Sequence, residues 1–319
     1  VKLGKSILND IDRGIIKHTL LSLGVEAGYF GTKEVRANRE KYDCNIPFQI
    51  LIDPTSACNM KCKGCWAAEY GHKNNLTFEE MSSIVSQGRE LGTHFYMFTG
   101  GEPLIRKDDI IRLCEEHADC AFMAYTNGTL IDDKFCEEVK RVGNLAFALS
   151  IEGTEESNDF RRGEGAYKRT MEAMATLKRN KCLFGISVCY TRLNVDYVTS
   201  DEFVDLMIES GVKYAWYFNY MPVGHGADKE LIPNGEILDV CGTPYDFTEK
   251  KAVGKDIECD YKLLSFFNGY DTNYYKKNYT GAMAPIASLT DPENGLEMTV
   301  ATDLPCVQLY TTNSVDEGS

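Results

Sequence analysis

At 319 residues and 43% apolar content, the chain is long enough for one large α/β domain or two ordinary ones, with a substantial buried core. Its 34 basic residues against 48 acidic ones leave a net charge of −14, which argues against a polyanion-binding surface and so against a nucleic-acid partner. No apolar run approaches the roughly 18 residues that span a bilayer, and Val1-Lys2-Leu3-Gly4 lacks the charged-then-apolar order of a signal peptide; the expected location is the cytoplasm, with no membrane partner.

In chain order, Ile7 to Leu23 patterns as an amphipathic helix, expected to pack outside the following barrel as part of a helical extension over residues 1–44. From residue 45 to 224, short apolar runs alternate with helical patterns, the signature of repeated β-α units and a parallel sheet. The runs are Phe48 to Ile52, His94 to Phe98, Ala121 to Tyr125, Ala146 to Ile151, Phe184 to Tyr190 and Tyr214 to Asn219. Each is nearly continuous in apolar residues, as a parallel strand covered on both faces should be. Thr77-Phe78-Glu79-Glu80 reads as a capping box opening the first connecting helix. Further helices are predicted over Ile110 to His117, Asp133 to Val142, Tyr167 to Asn180 and Glu202 to Glu209, the last stopped by Gly211. Beyond Gly224 helical periodicity vanishes, and only β-like runs such as Leu296 to Ala301 and Cys306 to Thr311 remain.

Twelve cysteines without a secretion signal do not suggest disulfides, because a reducing cytosol keeps thiols free and a chain of this size needs no staples. Cys44, Cys114, Cys120, Cys136, Cys182, Cys189, Cys241, Cys259 and Cys306 are scattered without ligand spacing and read as packed thiols. Cys58-Asn59-Met60-Lys61-Cys62-Lys63-Gly64-Cys65 is different, with three thiols converging from one loop directly after the first strand. Three cysteines on a [4Fe–4S] cube leave one iron open for a ligand that is not protein. Zinc is the rival, although structural zinc sites want four protein ligands and no second hook is visible.

The C-x₃-C-x₂-C loop, together with four later motifs, resembles the radical S-adenosylmethionine (SAM) family over roughly residues 45–222. Thr99-Gly100-Gly101-Glu102-Pro103 is similar to the family's GGEP motif, in which the glycines let the backbone approach SAM and the acid can pair with the methionine ammonium. Thr126-Asn127-Gly128 ends the third strand, and Ser150-Ile151-Glu152-Gly153 ends the fourth, similar to a motif whose serine meets the ribose or carboxylate end of SAM. Arg162 stands where the resemblance implies a ligand for the SAM carboxylate, with Arg161 as the adjacent alternative. Val188 lies on the strand implied to pass the adenine. The residue before the third cysteine, often aromatic in the family, is Gly64, so the loop is expected to meet adenine through backbone or through Trp66.

The resemblance therefore implies a partial (β/α)₆ barrel, a [4Fe–4S] cluster held by Cys58, Cys62 and Cys65, and SAM near Gly100, Gly101, Glu102, Pro103, Asn127, Ser150, Arg162 and Val188. It also implies reductive SAM cleavage to a 5′-deoxyadenosyl radical, an electron donor such as flavodoxin or ferredoxin, and a small-molecule or peptide substrate of unknown identity.

Residues 231–319 resemble another family. Leu231-Ile232-Pro233-Asn234-Gly235-Glu236, Gly242-Thr243-Pro244-Tyr245-Asp246-Phe247, Gly269-Tyr270-Asp271 and Val307 to Asn313 are similar to the middle of aldose 1-epimerase (galactose mutarotase), a β-sandwich enzyme. There the aspartate matching Asp271 binds sugar hydroxyls, while a histidine acid and a glutamate base do the chemistry. The histidine belongs upstream, where this chain carries the barrel, and the glutamate belongs beyond Ser319. A β-rich, incomplete sandwich is expected, with open edges and no epimerase activity. A junction near Lys229 to Gly235, Val1 in place of an initiator Met and the end within the sugar-enzyme pattern suggest a chimeric fragment. The alternatives to a radical SAM enzyme are a sugar-binding or isomerising protein acting through the tail, and a nonenzymatic metal-binding scaffold.

Overall fold

The computed structural model describes residues 2–67, 71, 73–222, 239–261, 264 and 269–311. Two compact units divide at Gly235 and Glu236. The proposed junction over Lys229 to Gly235 and the Leu231 to Glu236 motif lie outside the described residues, as do Thr312 and Asn313.

In the first unit the six apolar runs become strands β1 (Gln49–Ile52), β2 (Phe95–Phe98), β3 (Ala121–Thr126), β4 (Leu145–Ser150), β5 (Phe184–Tyr190) and β6 (Ala215–Asn219). They form one sheet in sequence order, every neighbouring pair parallel. This is a curled half-barrel, the partial (β/α)₆ architecture expected.

Helices run α1 (Lys2–Asp10), α2 (Arg13–Thr19), α3 (Thr32–Tyr42), α4 (Phe78–Glu90), α5 (Lys107–Glu116), α6 (Asp133–Val142), α7 (Glu155–Arg162), α8 (Ala166–Arg179), α9 (Val195–Val198) and α10 (Asp201–Ser210). The capping box of α4 is complete: Thr77 Oγ1 accepts from the Glu80 N–H at 3.1 Å, and the Glu80 carboxylate accepts from the Thr77 N–H at 2.7 Å. The single amphipathic helix expected over Ile7 to Leu23 is instead broken at Asp12, whose carboxylate caps α2 by accepting from the Gly14 N–H at 2.7 Å. A π-helical stretch, Leu20–Gly31, continues the helical run into α3. Ile11 and Ile15 are buried in the main core, so this extension packs against the half-barrel.

Strand alternation sorts side chains between two faces. Tyr96, Phe98, Phe122, Phe147, Leu149, Ile186 and Val188 point outward into the core shared with Met81, Val85, Leu113, Val139, Met174 and Phe203 of the helices. Met97, Met123 and Ala148 line the concave face, flanked by Phe95, Tyr125 and Tyr214. Trp216 and Phe218 reach Tyr125 on that face, at ring separations of 6.4 and 5.9 Å.

The second unit pairs β7 (Asp271–Tyr275) with β10 (Cys306–Tyr310), and β8 (Ala284–Thr290) with β9 (Glu297–Thr302), both antiparallel. Its buried core among the described residues is Tyr245, Leu264 and Tyr270. Leu289, Leu296 and Met298 are exposed. Two two-stranded sheets over so small a core match the incomplete β-rich segment expected.

Candidate active site

Parallel strands deliver their exit loops to one end of a sheet, and the residues singled out from the sequence gather there. The loop after β1 turns back on the loop after β2. The Gly101 N–H donates to Thr55 O at 2.9 Å, and the Glu102 N–H donates to Ala57 O at 2.8 Å. A Cβ at Gly101 would run into the Ala57 carbonyl, and one at Gly100, where φ is 101°, would stand 2.8 Å from Thr55 O. The glycines of the GGEP segment are thus required by the backbone leading into Cys58, which fixes where the thiol loop begins.

Glu102, expected as a partner for a ligand ammonium, also has partners within the protein. It is 1% exposed. Its carboxylate accepts from the Leu104 N–H at 3.1 Å, from Thr126 Oγ1 at 2.7 Å and from the Asn127 N–H at 2.8 Å. Burial nevertheless pushes its pKa up, opposed by these donors. Glu102 therefore braces the exits of β2 and β3 against each other. Asn127 extends the brace by donating through Nδ2 to Asn59 Oδ1 at 2.8 Å, inside the cysteine loop. Pro103 is buried in the first turn of a short 3₁₀ helix, where its fixed φ costs nothing.

Cys58, Cys62 and Cys65 are free and partly exposed. Among the described residues, the His/Cys/Asp/Glu ligand atoms that converge within 4.8 Å of one another belong to His94, Asp119 and Cys120, and the three loop sulfurs do not close to that distance as a set. His94, Asp119 and Cys120 lie at the opposite ends of β2 and β3, and Arg89 already holds Asp119 at 2.6 Å. Burial pushes the Cys58 and Cys62 thiols up; at Cys62 the guanidiniums of Arg162 and Arg161 oppose it.

Those arginines end α7. The Lys63 N–H donates to Arg161 O at 2.8 Å, tying the helix end to the cysteine loop. In the structure Arg162 and Arg161 share a protein carboxylate: Glu152 Oε1 accepts from Arg162 Nε and from Arg161 Nη1, both at 2.7 Å. Glu152 is 1% exposed. Ser150 ends β4 with its side chain opposite Leu149, which places it on the concave face.

On β5 the Val188 side chain is fully buried in the outer core, and its neighbours Ser187 and Cys189 take the concave face, while the expectation for Val188 concerned the backbone of this strand. Gly64 has φ 63°, and the ring of Tyr220, just past β6, lies against it. Trp66, the other aromatic candidate, is 44% exposed. An apolar hollow of about 400 Å³, lined in part by Phe95, Met123, Tyr214 and Trp216, lies at the amino ends of the strands, away from these loops.

In the second unit Asp271 opens β7, and its Oδ1 accepts from Gln308 Nε2 at 2.5 Å.

Comparison with known proteins agrees with both parts of the sequence. The Radical SAM superfamily model matches residues 52–214, and the Aldose 1-epimerase model matches residues 224–319. An Fe-coproporphyrin III synthase of Methanosarcina barkeri is 28% identical over 183 residues, covering 56% of this chain and 45% of that protein. An AdoMet-dependent heme synthase of the same organism is 24% identical, covering 67% of this chain and 62% of the relative. A GTP 3′,8-cyclase of Alkaliphilus oremlandii is 26% identical, with 59% and 62% covered. The chain thus spans about half the length of the curated relatives it matches. In fold it is similar to SuiB of Streptococcus suis bound to S-adenosylmethionine, with TM-score 0.53, 21% identity and coverage of 64% of this chain and 47% of that one.

Proposed function

The chain belongs to the radical SAM superfamily, whose chemistry uses a [4Fe–4S] cluster and SAM, and from that premise we propose that it cleaves SAM reductively on a cluster ligated by Cys58, Cys62 and Cys65. The observation that carries this reading is the loop itself: three partly exposed thiols, anchored at one end by the Gly101 and Glu102 contacts and at the other by Arg161. When bound, the cluster supplies one electron to the sulfonium of SAM, giving methionine and a 5′-deoxyadenosyl radical.

The chain's own residues hold and orient. Glu102 and Asn127 fix the entry to the cysteine loop, while Gly100, Gly101 and Pro103 keep the neighbouring turn close to it. Ser150 on the concave face and Arg162 beside it are proposed for the amino-acid or ribose end of SAM. The concave apolar surface of Met97, Met123 and Ala148 supports a substrate placed inside the half-barrel, shielded from water. An electron donor of the flavodoxin or ferredoxin kind would first reduce the cluster. Residues 1–44 are proposed as a packing extension, 45–224 as the radical SAM core, and 231–319 as an epimerase-like segment in which Asp271 would face sugar hydroxyls.

The test is anaerobic reconstitution with iron and sulfide. Wild-type protein should take up about four irons and show a reduced-cluster electron paramagnetic resonance signal that SAM perturbs. Retention of that signal in Cys58→Ala would sink the assignment.

A further inference from the structure

We infer that Glu152, Arg161 and Arg162 form a buried charge group, two cations on one anion, whose residual positive charge beside Cys62 and Cys65 sets how readily the cluster is reduced. This rests on the cluster reading above, and it assigns Glu152 a part that no motif gave it.

The geometry is lopsided. Arg161 Nη1 at 2.7 Å and Arg162 Nη2 at 2.6 Å both approach Glu152 Oε1, while Oε2 is buried with no hydrogen-bond partner. The side chains are 12%, 11% and 1% exposed. One carboxylate cannot neutralise two guanidiniums, and a partly desolvated surplus charge is costly unless a negative group lies near. The nearby sulfurs are those of Cys189, Cys62 and Cys65 around Arg161, and of Cys62 around Arg162; of these, Cys62 and Cys65 would carry negative charge as thiolate ligands of a cluster. The placement is held rigidly. The Arg161 carbonyl accepts from the Lys63 N–H, and its guanidinium stands 5.9 Å from the ring of Tyr220, the ring that packs on Gly64. Glu102, the other buried carboxylate nearby, acts on Cys58, so the loop has a negative flank and a positive flank. A cluster that gains an electron gains negative charge, and adjacent positive charge in a poorly solvated site favours that form. Glu152 limits this effect by cancelling part of it.

The test is an EPR-monitored redox titration of reconstituted protein without SAM. Glu152→Gln removes the anion and keeps the shape, so its midpoint should move to more positive potential. Arg161→Gln and Arg162→Gln should move it to more negative potential, while Arg161→Lys, which keeps the charge, should stay near wild type. Fully loaded Glu152→Gln and Arg161→Gln proteins that shift in the same direction, or not at all, would overturn the inference. Should Glu152→Gln fail to fold, Arg162→Gln decides alone, since it leaves the Arg161 and Glu152 pair intact: a negative shift supports the inference and no shift overturns it. A wild-type chain that binds no iron would instead overturn the cluster reading on which all of this stands.

Discussion

At Gly64 the backbone sits in the left-handed region and the ring of Tyr220 fills the space a side chain would need. Gly64→Ala should therefore lose about 1–2 kcal/mol from the backbone alone, before any cost of displacing a ring that is 2% exposed. Urea melts of the apo protein should show this loss, and iron uptake should fall with it; a variant as stable and as well loaded as wild type would contradict the packing described. The three cysteines were legible because ligand spacing within one loop is a local property of sequence. The partner of Arg162 was not, because Glu152 lies ten positions earlier and meets it only once β4 and α7 are folded. Which face of β5 looks inward is likewise illegible in the sequence: a buried strand reads as apolar on both faces, and only the sheet places Val188 outward and Ser187 and Cys189 inward.

At the scale of elements, the six strands and the helices α4, α5, α6, α8 and α10 were legible because each carries an apolar run or stripe, whereas α3 buries only Val35 and carries none. Helix α7 was missed because it is eight residues long with Asn158 as its only buried residue, so there is no stripe to read. It nonetheless carries both arginines of the site. The N-terminal helical run was expected as one piece, and Asp12 breaks it by offering its carboxylate to the backbone.

Helix α6 offers a pH test. The Phe135 N–H, at 2.7 Å, holds the Asp132 carboxyl below the usual carboxylate range. A depressed pKa contributes stability that is present above the unfolded value and is lost as pH falls through the folded one. Asp132→Ala should cost about 1 kcal/mol near neutral pH, and its deficit against wild type should shrink below about pH 4. Denaturant melts at pH 7 and pH 3 measure both; an equal deficit at the two would show that the charge plays no part. The sheet and helix core is tested by Phe147→Ala, which removes a fully buried ring packed 5.8 Å from Phe135 and should cost about 3–5 kcal/mol in the same melts.

At the scale of the whole molecule, two unrelated families meet in one chain. The half-barrel presents an ordered row of loops at one end of six parallel strands, whereas the described residues of the second unit form two strand pairs with open edges over a core of three residues. Polarimetry separates their contributions. The rotation of freshly dissolved α-glucose should relax no faster with the protein than in buffer, and faster relaxation would return sugar chemistry to the second unit.

The central claim is that the loop of Cys58, Cys62 and Cys65 supports SAM cleavage, and product formation tests it most directly. Reconstituted protein given dithionite and SAM under anaerobic conditions should yield 5′-deoxyadenosine and methionine, and Cys58→Ala should yield neither above background. No 5′-deoxyadenosine from fully loaded wild-type protein, or undiminished product from Cys58→Ala, would contradict the account.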